Sequence, residues 1–163
     1  MKIFPAIDLR DGKAVRLFQG DYDKMTVYSD DPADVARAFK AKGADCLHVV
    51  DLDGAKDGKL VNYETIKEIV QGVDMFVEVG GGIRDEERIR QYLDIGVGRV
   101  ILGTVAVRDP GFLEEMVKKY GEKIAVGVDA RDGYVAVNGW KEITDRKSFD
   151  FCRHLSSIGV KTV

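Results

Sequence analysis

The chain has 163 residues, 45% of them hydrophobic and 33% charged, which is enough apolar material for a sizeable core. A net charge of −3 gives no basic field for nucleic acid, and no run of about 18 apolar residues marks a membrane span. Lys2-Ile3-Phe4 reads as a strand and not as a secretion signal, and Cys46 and Cys152 sit in apolar patterns without ligand spacing, so a cytoplasmic protein with reduced cysteines is expected.

Residues 2–7 read as a strand, and 15–18 as a short extra strand in the loop that follows. Asp30-Asp31-Pro32 opens a helix, with an acidic cap and then a proline where a missing N–H costs nothing. Val35, Ala38, Phe39 and Lys42 continue it at helical spacing until Gly43. Residues 46–52 read as a buried strand. Asn62 caps a helix carrying Ile66, Ile69 and Val70. Residues 75–79 form a strand ending in Gly80-Gly81-Gly82. Asp85 caps a helix carrying Ile89, Tyr92 and Leu93, closed near Gly96. Residues 99–102 form a strand ending in Gly103-Thr104. Asp109-Pro110 opens a helix with Phe112, Leu113, Met116 and Val117 inward, and residues 124–128 are the next strand. Phe149, Cys152 and Leu155 mark a further helix closed by Gly159, and Thr162-Val163 begins a sixth strand.

Strand and helix alternate five times without a linker, so 1–163 is expected to be one α/β domain with a parallel sheet and right-handed crossovers. A doubly wound sheet and a (β/α)8 barrel both fit this pattern. A repeat favours the barrel. Ile7-Asp8-Leu9-Arg10-Asp11-Gly12 and Val128-Asp129-Ala130-Arg131-Asp132-Gly133 match at one constant separation, 129 − 8 = 121. Such barrels need roughly 250 residues. The expectation is therefore an incomplete barrel of about five β/α units, with an internal half-barrel repeat starting near residue 121.

The repeat places an acid at the end of two apolar strands, and paired carboxylates suit general acid and base work. Asp8 and Asp129 are the candidate catalytic residues. A turn explains Asp11-Gly12 and Asp132-Gly133, but not the additional acid at both strand ends. Gly80, Gly81 and Gly82, with Gly103 and Thr104 after the adjacent strand, offer backbone N–H groups to a phosphate. Arg84 follows the glycines and adds charge there, or is a solvated helix-start residue. Arg16 lies in the first loop. Trp140, the only tryptophan, follows Asn138-Gly139 in the fifth loop, where it stacks on a flat ring or packs the loop down. His48, in an apolar strand, is a satisfied core residue or, since it shares a face with Val50, lines a barrel interior near the mouth. No spacing supports a metal site, and the glycine run lacks the Lys-Ser/Thr of an ATP P-loop.

Five segments in order resemble one family. Pro-Ala-Ile-Asp-Leu-Arg-Asp-Gly-Lys-Ala-Val-Arg-Leu, His-Val-Val-Asp-Leu-Asp-Gly-Ala, Val-Gly-Gly-Gly-Ile-Arg, Gly-Thr and Val-Gly-Val-Asp-Ala-Arg are similar to the HisA family of histidine biosynthesis, the phosphoribosylformimino-5-aminoimidazole carboxamide ribotide isomerases. The resemblance covers essentially the whole chain. It implies an Amadori rearrangement of a bis-phosphorylated ribosyl aminoaldose to the aminoketose, without cofactor or metal. It implies that Asp8 is the general base at ribose C2 and Asp129 the general acid at the ring oxygen. It implies a first phosphate region at Gly80, Gly81, Gly82, Gly103 and Thr104, and substrate contacts at Arg16, His48, Arg84 and Trp140. The family has eight strand–helix units, and its second phosphate site follows strands seven and eight. Two expectations result: a polypeptide of these 163 residues lacks isomerase activity by itself, and its open strand edges invite self-association. A dual-specificity isomerase also serving tryptophan synthesis, and a non-catalytic half-barrel fragment, stay open as alternatives.

Overall fold

The computed structural model describes residues 1–18 and 20–163. In chain order the elements are β1 (Ala6–Arg10), β2 (Lys13–Phe18), β3 (Asp21–Ser29), α1 (Pro32–Ala41), β4 (Cys46–Asp51), α2 (Leu52–Asp57), α3 (Tyr63–Gly72), β5 (Phe76–Gly80), α4 (Glu86–Asp94), β6 (Arg99–Leu102), α5 (Thr104–Arg108), α6 (Pro110–Tyr120), a 3-10 turn (Gly121–Lys123), β7 (Ile124–Val126), β8 (Asp129–Arg131), β9 (Tyr134–Val137), β10 (Glu142–Lys147) and α7 (Ser148–Ser157). The main sheet runs β3-β2-β1-β4-β5-β6-β7. From β1 through β4, β5, β6 and β7 every pairing is parallel, and β2 and β3 add an antiparallel edge. A second, antiparallel sheet runs β10-β9-β8. Among the described residues β1 and β7 do not pair, so the main sheet is open. Among the described residues no helix is long and apolar enough to cross a membrane.

Local chemistry explains the helix starts. Asp31, Asp85 and Asp109 each precede a helix, and each carboxylate accepts from the backbone N–H three residues on. The parallel strands alternate. Leu47 and Val49 of β4, Val77 and Val79 of β5, and Val100 and Leu102 of β6 are buried with the helix residues Ile66, Ile69, Ile89 and Leu113. The intervening residues His48, Val50 and Ile101 are only half-buried on the other face.

The sheet departs from the sequence pattern at several points. β1 begins at Ala6, not Lys2, and runs through Asp8 to Arg10, so Asp8 lies within the ladder and not at its end. β3, α2, α5 and the whole second sheet carry no clear apolar period. β3 is nearly all exposed, and all three residues of β8 are exposed. Such strands are held by backbone pairing, which side-chain pattern does not report. Two helix faces also differ. Phe149 is 80% exposed, and α7 buries Phe151 beside the expected Leu155. α1 buries Ala33 and Ala36, while Ala38 is exposed. Thr162 lies beside β7: the Val126 N–H donates to its carbonyl at 3.1 Å and Arg99 Nη1 to its hydroxyl at 2.9 Å.

Candidate active site

The parallel ladder sorts the strand residues into two rows on the face away from the helices. Ala6, His48, Glu78 and Arg99 are register partners across β1, β4, β5 and β6. One pleat further toward the carboxyl ends lie Asp8, Val50, Gly80, Ile101 and Ala125. A Cβ added at Gly80 or at Gly127 would meet Ile101 at 3.4 Å in either case, so Gly127 continues this face beyond β7. Asp129 is the next alternate residue along the chain.

Asp8 and Asp129 occupy the same place in two hairpins. Asp8 pairs with Val15, Leu9 with Ala14 and Arg10 with Lys13. Asp129 pairs with Ala136, Ala130 with Val135 and Arg131 with Tyr134, so each partner is displaced by the separation that relates the two acids. Asp11 and Gly12 (φ 49° and 75°) turn the first hairpin, and Asp132 and Gly133 (φ 52° and 83°) turn the second. Positive φ at both central residues matches the twist of a two-residue hairpin, and Asp-Gly supplies it at low cost.

The two carboxyls differ electrostatically. Asp8 is half-buried, and burial pushes its pKa above the ordinary carboxylate range, while Arg16 and His48 pull it part of the way back. Asp129 is more exposed, yet desolvation of its carboxyl raises its pKa with no opposing cation.

Glycine at 81 and 82 is required by packing. A Cβ at Gly81 would lie 2.1 Å from the Asp51 carbonyl oxygen, and one at Gly82 would lie 1.8 Å from the Gly54 carbonyl oxygen. The loop after β5 is therefore pressed backbone to backbone onto the start of α2. Arg84 is exposed, and its Nη2 donates to the Ala55 carbonyl at 3.4 Å. Gly103 precedes α5, and the Thr104 hydroxyl accepts from the Asn138 N–H at 3.0 Å, tying the end of β9 to the strand end of β6. Trp140 stands 53% exposed in the β9–β10 turn with φ 68°. Arg16 is exposed on β2.

Several groups were not legible as site residues. Asp51, fully buried, accepts from the Gly54 N–H (2.9 Å), Asn62 Nδ2 (2.7 Å) and the Tyr92 hydroxyl (3.3 Å). Burial pushes its pKa up, and these hydrogen bonds oppose the rise. Asn62 stands immediately before α3, at the cap position its spacing suggests, but its side chain does not cap that helix. Instead its Nδ2 also reaches Asp53 (2.8 Å), its Oδ1 accepts from the Gly12 N–H (2.8 Å), and Asp53 accepts from the Asp11 N–H (2.8 Å). The clamp joins the β1–β2 turn to the β4 loop. Asn62→Ala strands the Gly12 donor and removes two bonds from buried or part-buried carboxylates, and urea unfolding is expected to show a loss of about 3 kcal/mol. Glu78 by itself gives no signal as a site residue because its strand reads as apolar. Only its position in step with Gly80, as His48 is with Val50, marks it.

An open, mainly parallel sheet alternating with helices along the chain, with a small antiparallel sheet beside it, defines an α/β protein. Residues 2–163 match the histidine biosynthesis protein family. The chain is 52% identical over 163 residues to the 1-(5-phosphoribosyl)-5-((5-phosphoribosylamino)methylideneamino)imidazole-4-carboxamide isomerase of Brachyspira hyodysenteriae, covering 100% of this chain and 68% of that one. It is 53% identical over 161 residues to the isomerase of the same name from Desulfitobacterium hafniense, covering 99% of this chain and 64% of that protein. With the Bacillus subtilis isomerase it shares 50% identity over 159 residues, 98% of this chain and 65% of the relative. The chain belongs to the histidine biosynthesis protein family.

Proposed function

We propose that this protein is the aldose–ketose isomerase of histidine biosynthesis, converting a bis-phosphorylated aminoaldose (ProFAR) to the aminoketose (PRFAR). One observation carries the chemistry: Asp8 and Asp129 hold the same position in two hairpins of matching register, and both carboxyls are shifted toward the protonated form. The two environments support different roles. Asp129, with no cation opposing its rise, suits the acid. Asp8, whose ionised form Arg16 favours, suits the base.

In this reading Asp129 gives its proton to the furanose ring oxygen. The C1–O bond breaks, and the glycosidic nitrogen lone pair forms C1=N. Asp8 then takes the proton from C2, and those electrons form C1=C2 while the C=N pair returns to nitrogen. A proton enters at C1 and the C2 hydroxyl proton leaves, which yields the C2 ketone. Hydrogen moves from C2 to C1 as a proton, so the reaction needs no external oxidant or cofactor. The strand ends at Gly80–Gly82 and Gly103-Thr104 receive one phosphate, with Arg16, His48, Arg84 and Trp140 around the substrate.

The open sheet supports a portion of a (β/α)8 barrel, and the matched hairpins support an internal repeat beginning near residue 121. A cytoplasmic setting and self-association through strand edges belong to the same reading, and light scattering showing only monomer would remove the association.

The test joins residues 1–163 to the remainder of the Bacillus subtilis relative. The chimera is expected to turn over ProFAR, and a folded but inactive chimera overturns the proposal. The same assay applied to the 163-residue polypeptide alone tests the expected lack of activity. Turnover equal to that of the relative would remove that expectation.

A further inference from the structure

Beneath Asp8, on the same sheet face, a row of polar side chains has no part in the proton transfers above. Glu78 is 9% exposed in the middle of β5. Its Oε2 accepts from Arg99 Nε at 3.0 Å and from Arg99 Nη2, and its Oε1 lies 2.8 Å from His48 Nδ1. The Arg99 guanidinium lies over Phe76, 5.2 Å from the ring centroid, and 5.8 Å from that of Phe4, while its Nη1 reaches Thr162. Arg99 is thus held from several directions, and it fixes Glu78 in turn.

A buried acid surrounded in this way is a carboxylate. Burial pushes its pKa up, but the hydrogen bonds from His48 and Arg99 outweigh that and keep it below the ordinary value. A carboxylate only accepts hydrogen bonds. The 2.8 Å contact therefore requires a proton on His48 Nδ1, and in the neutral ring, which is 31% exposed, Nε2 is then the free nitrogen.

We infer that Glu78 is a positioning residue: it holds His48 in the Nδ1–H tautomer, so that Nε2, on the face that carries Asp8, accepts a hydrogen bond from a ribose hydroxyl of the substrate. The inference rests on the isomerase reading for the identity of the ligand, but the tautomer does not. The charged groups coupled to the ring are Glu78 on β5, which touches it, and Asp8 on β1; Arg99 acts on Glu78, and Arg16 on Asp8.

The discriminating variant is Glu78→Gln. Arg99 offers only donors, so the new amide turns its oxygen toward Arg99 and its NH2 toward His48. Nδ1 must then accept, and the proton moves to Nε2. Shape is retained and the tautomer inverts.

Long-range 15N–1H spectra of the 163-residue protein report this directly, since it contains only two histidines. The expected result is a proton on His48 Nδ1 in the unsubstituted protein, Nε2–H in Glu78→Gln, and an affinity for ProFAR lowered roughly 10-fold in the variant. A bare Nδ1 in the unsubstituted protein, or an unchanged tautomer in the folded variant, overturns the inference whatever the protein's activity. An inverted tautomer with unchanged ProFAR affinity overturns the substrate contact alone. Failure of Asp8 and Asp129 variants to affect turnover overturns the isomerase reading and leaves the tautomer standing.

Discussion

Replacing Asp8 with Asn is expected to lower kcat by ~10²–10⁴-fold with little change in KM, because an amide keeps the shape and cannot take the C2 proton. Asp129→Asn is expected to lower kcat by a similar factor, because the amide cannot donate to the ring oxygen. Turnover of ProFAR in the chimera measures both. Near-normal kcat in either variant would remove that residue from the chemistry. The shifts also set the form of the pH profile. Activity needs Asp8 ionised and Asp129 protonated, so Asp8 governs the acid limb and Asp129 the alkaline limb. Arg16 is among the cations that lower the pKa of Asp8. Arg16→Gln is therefore expected to move the acid limb to higher pH and leave the alkaline limb in place. The stability consequence runs the other way. A carboxyl whose folded pKa is raised favours the fold while protonated and loses that contribution as pH climbs through the folded value. Asp129→Asn should thus raise Tm at neutral pH relative to the unsubstituted protein and lose that advantage in acid. Thermal melts at the two pH values decide it.

Gly82→Ala is expected to be the most disruptive single-methyl change in the chain. The added carbon would sit 1.8 Å from the Gly54 carbonyl oxygen and 2.8 Å from the Ala55 nitrogen, both backbone atoms that no rotamer change relieves. The position also has φ 70°, where an L side chain adds about 1–2 kcal/mol. With an overpacking cost of about 1–3 kcal/mol, a loss of about 2–5 kcal/mol by urea unfolding is expected. Gly111→Ala is the control. It lies within α6, and its Cβ would meet only the Asp109 carboxylate at 3.6 Å, an ordinary contact, so stability should change little. If the strand-end glycines serve only as a phosphate cradle, the two substitutions should cost the fold equally little. The close approach shows that Gly81 and Gly82 are needed to bring the β5 loop onto α2, whether or not a phosphate binds there.

Local chemistry written in the sequence determined the starts of α1, α4 and α6, the parallel α/β class, the family and the recurrence of the two acids. An Asp before a helix satisfies orphan N–H groups wherever the helix packs, and a β6 of Arg99-Val100-Ile101-Leu102 is apolar enough to be recognised in isolation. Asp8 and Asp129 stood out because Asp-x-Arg-Asp-Gly occurs twice, and the hairpin turn needs its positive φ in any context. Only the tertiary structure decided where the acids sit in their ladders, that the second sheet exists, and that Asp51, Asn62 and Glu78 are bound into polar networks. Asn62 read as a cap because its spacing to the helix is local, whereas its bonds reach Gly12, 50 residues away. Glu78 gained its meaning from His48 and Arg99, brought alongside by pairing across three strands. The division follows from range: caps, turns and periodicity act between neighbours along the chain, while partners for a buried charge are supplied by whichever strands fold beside it.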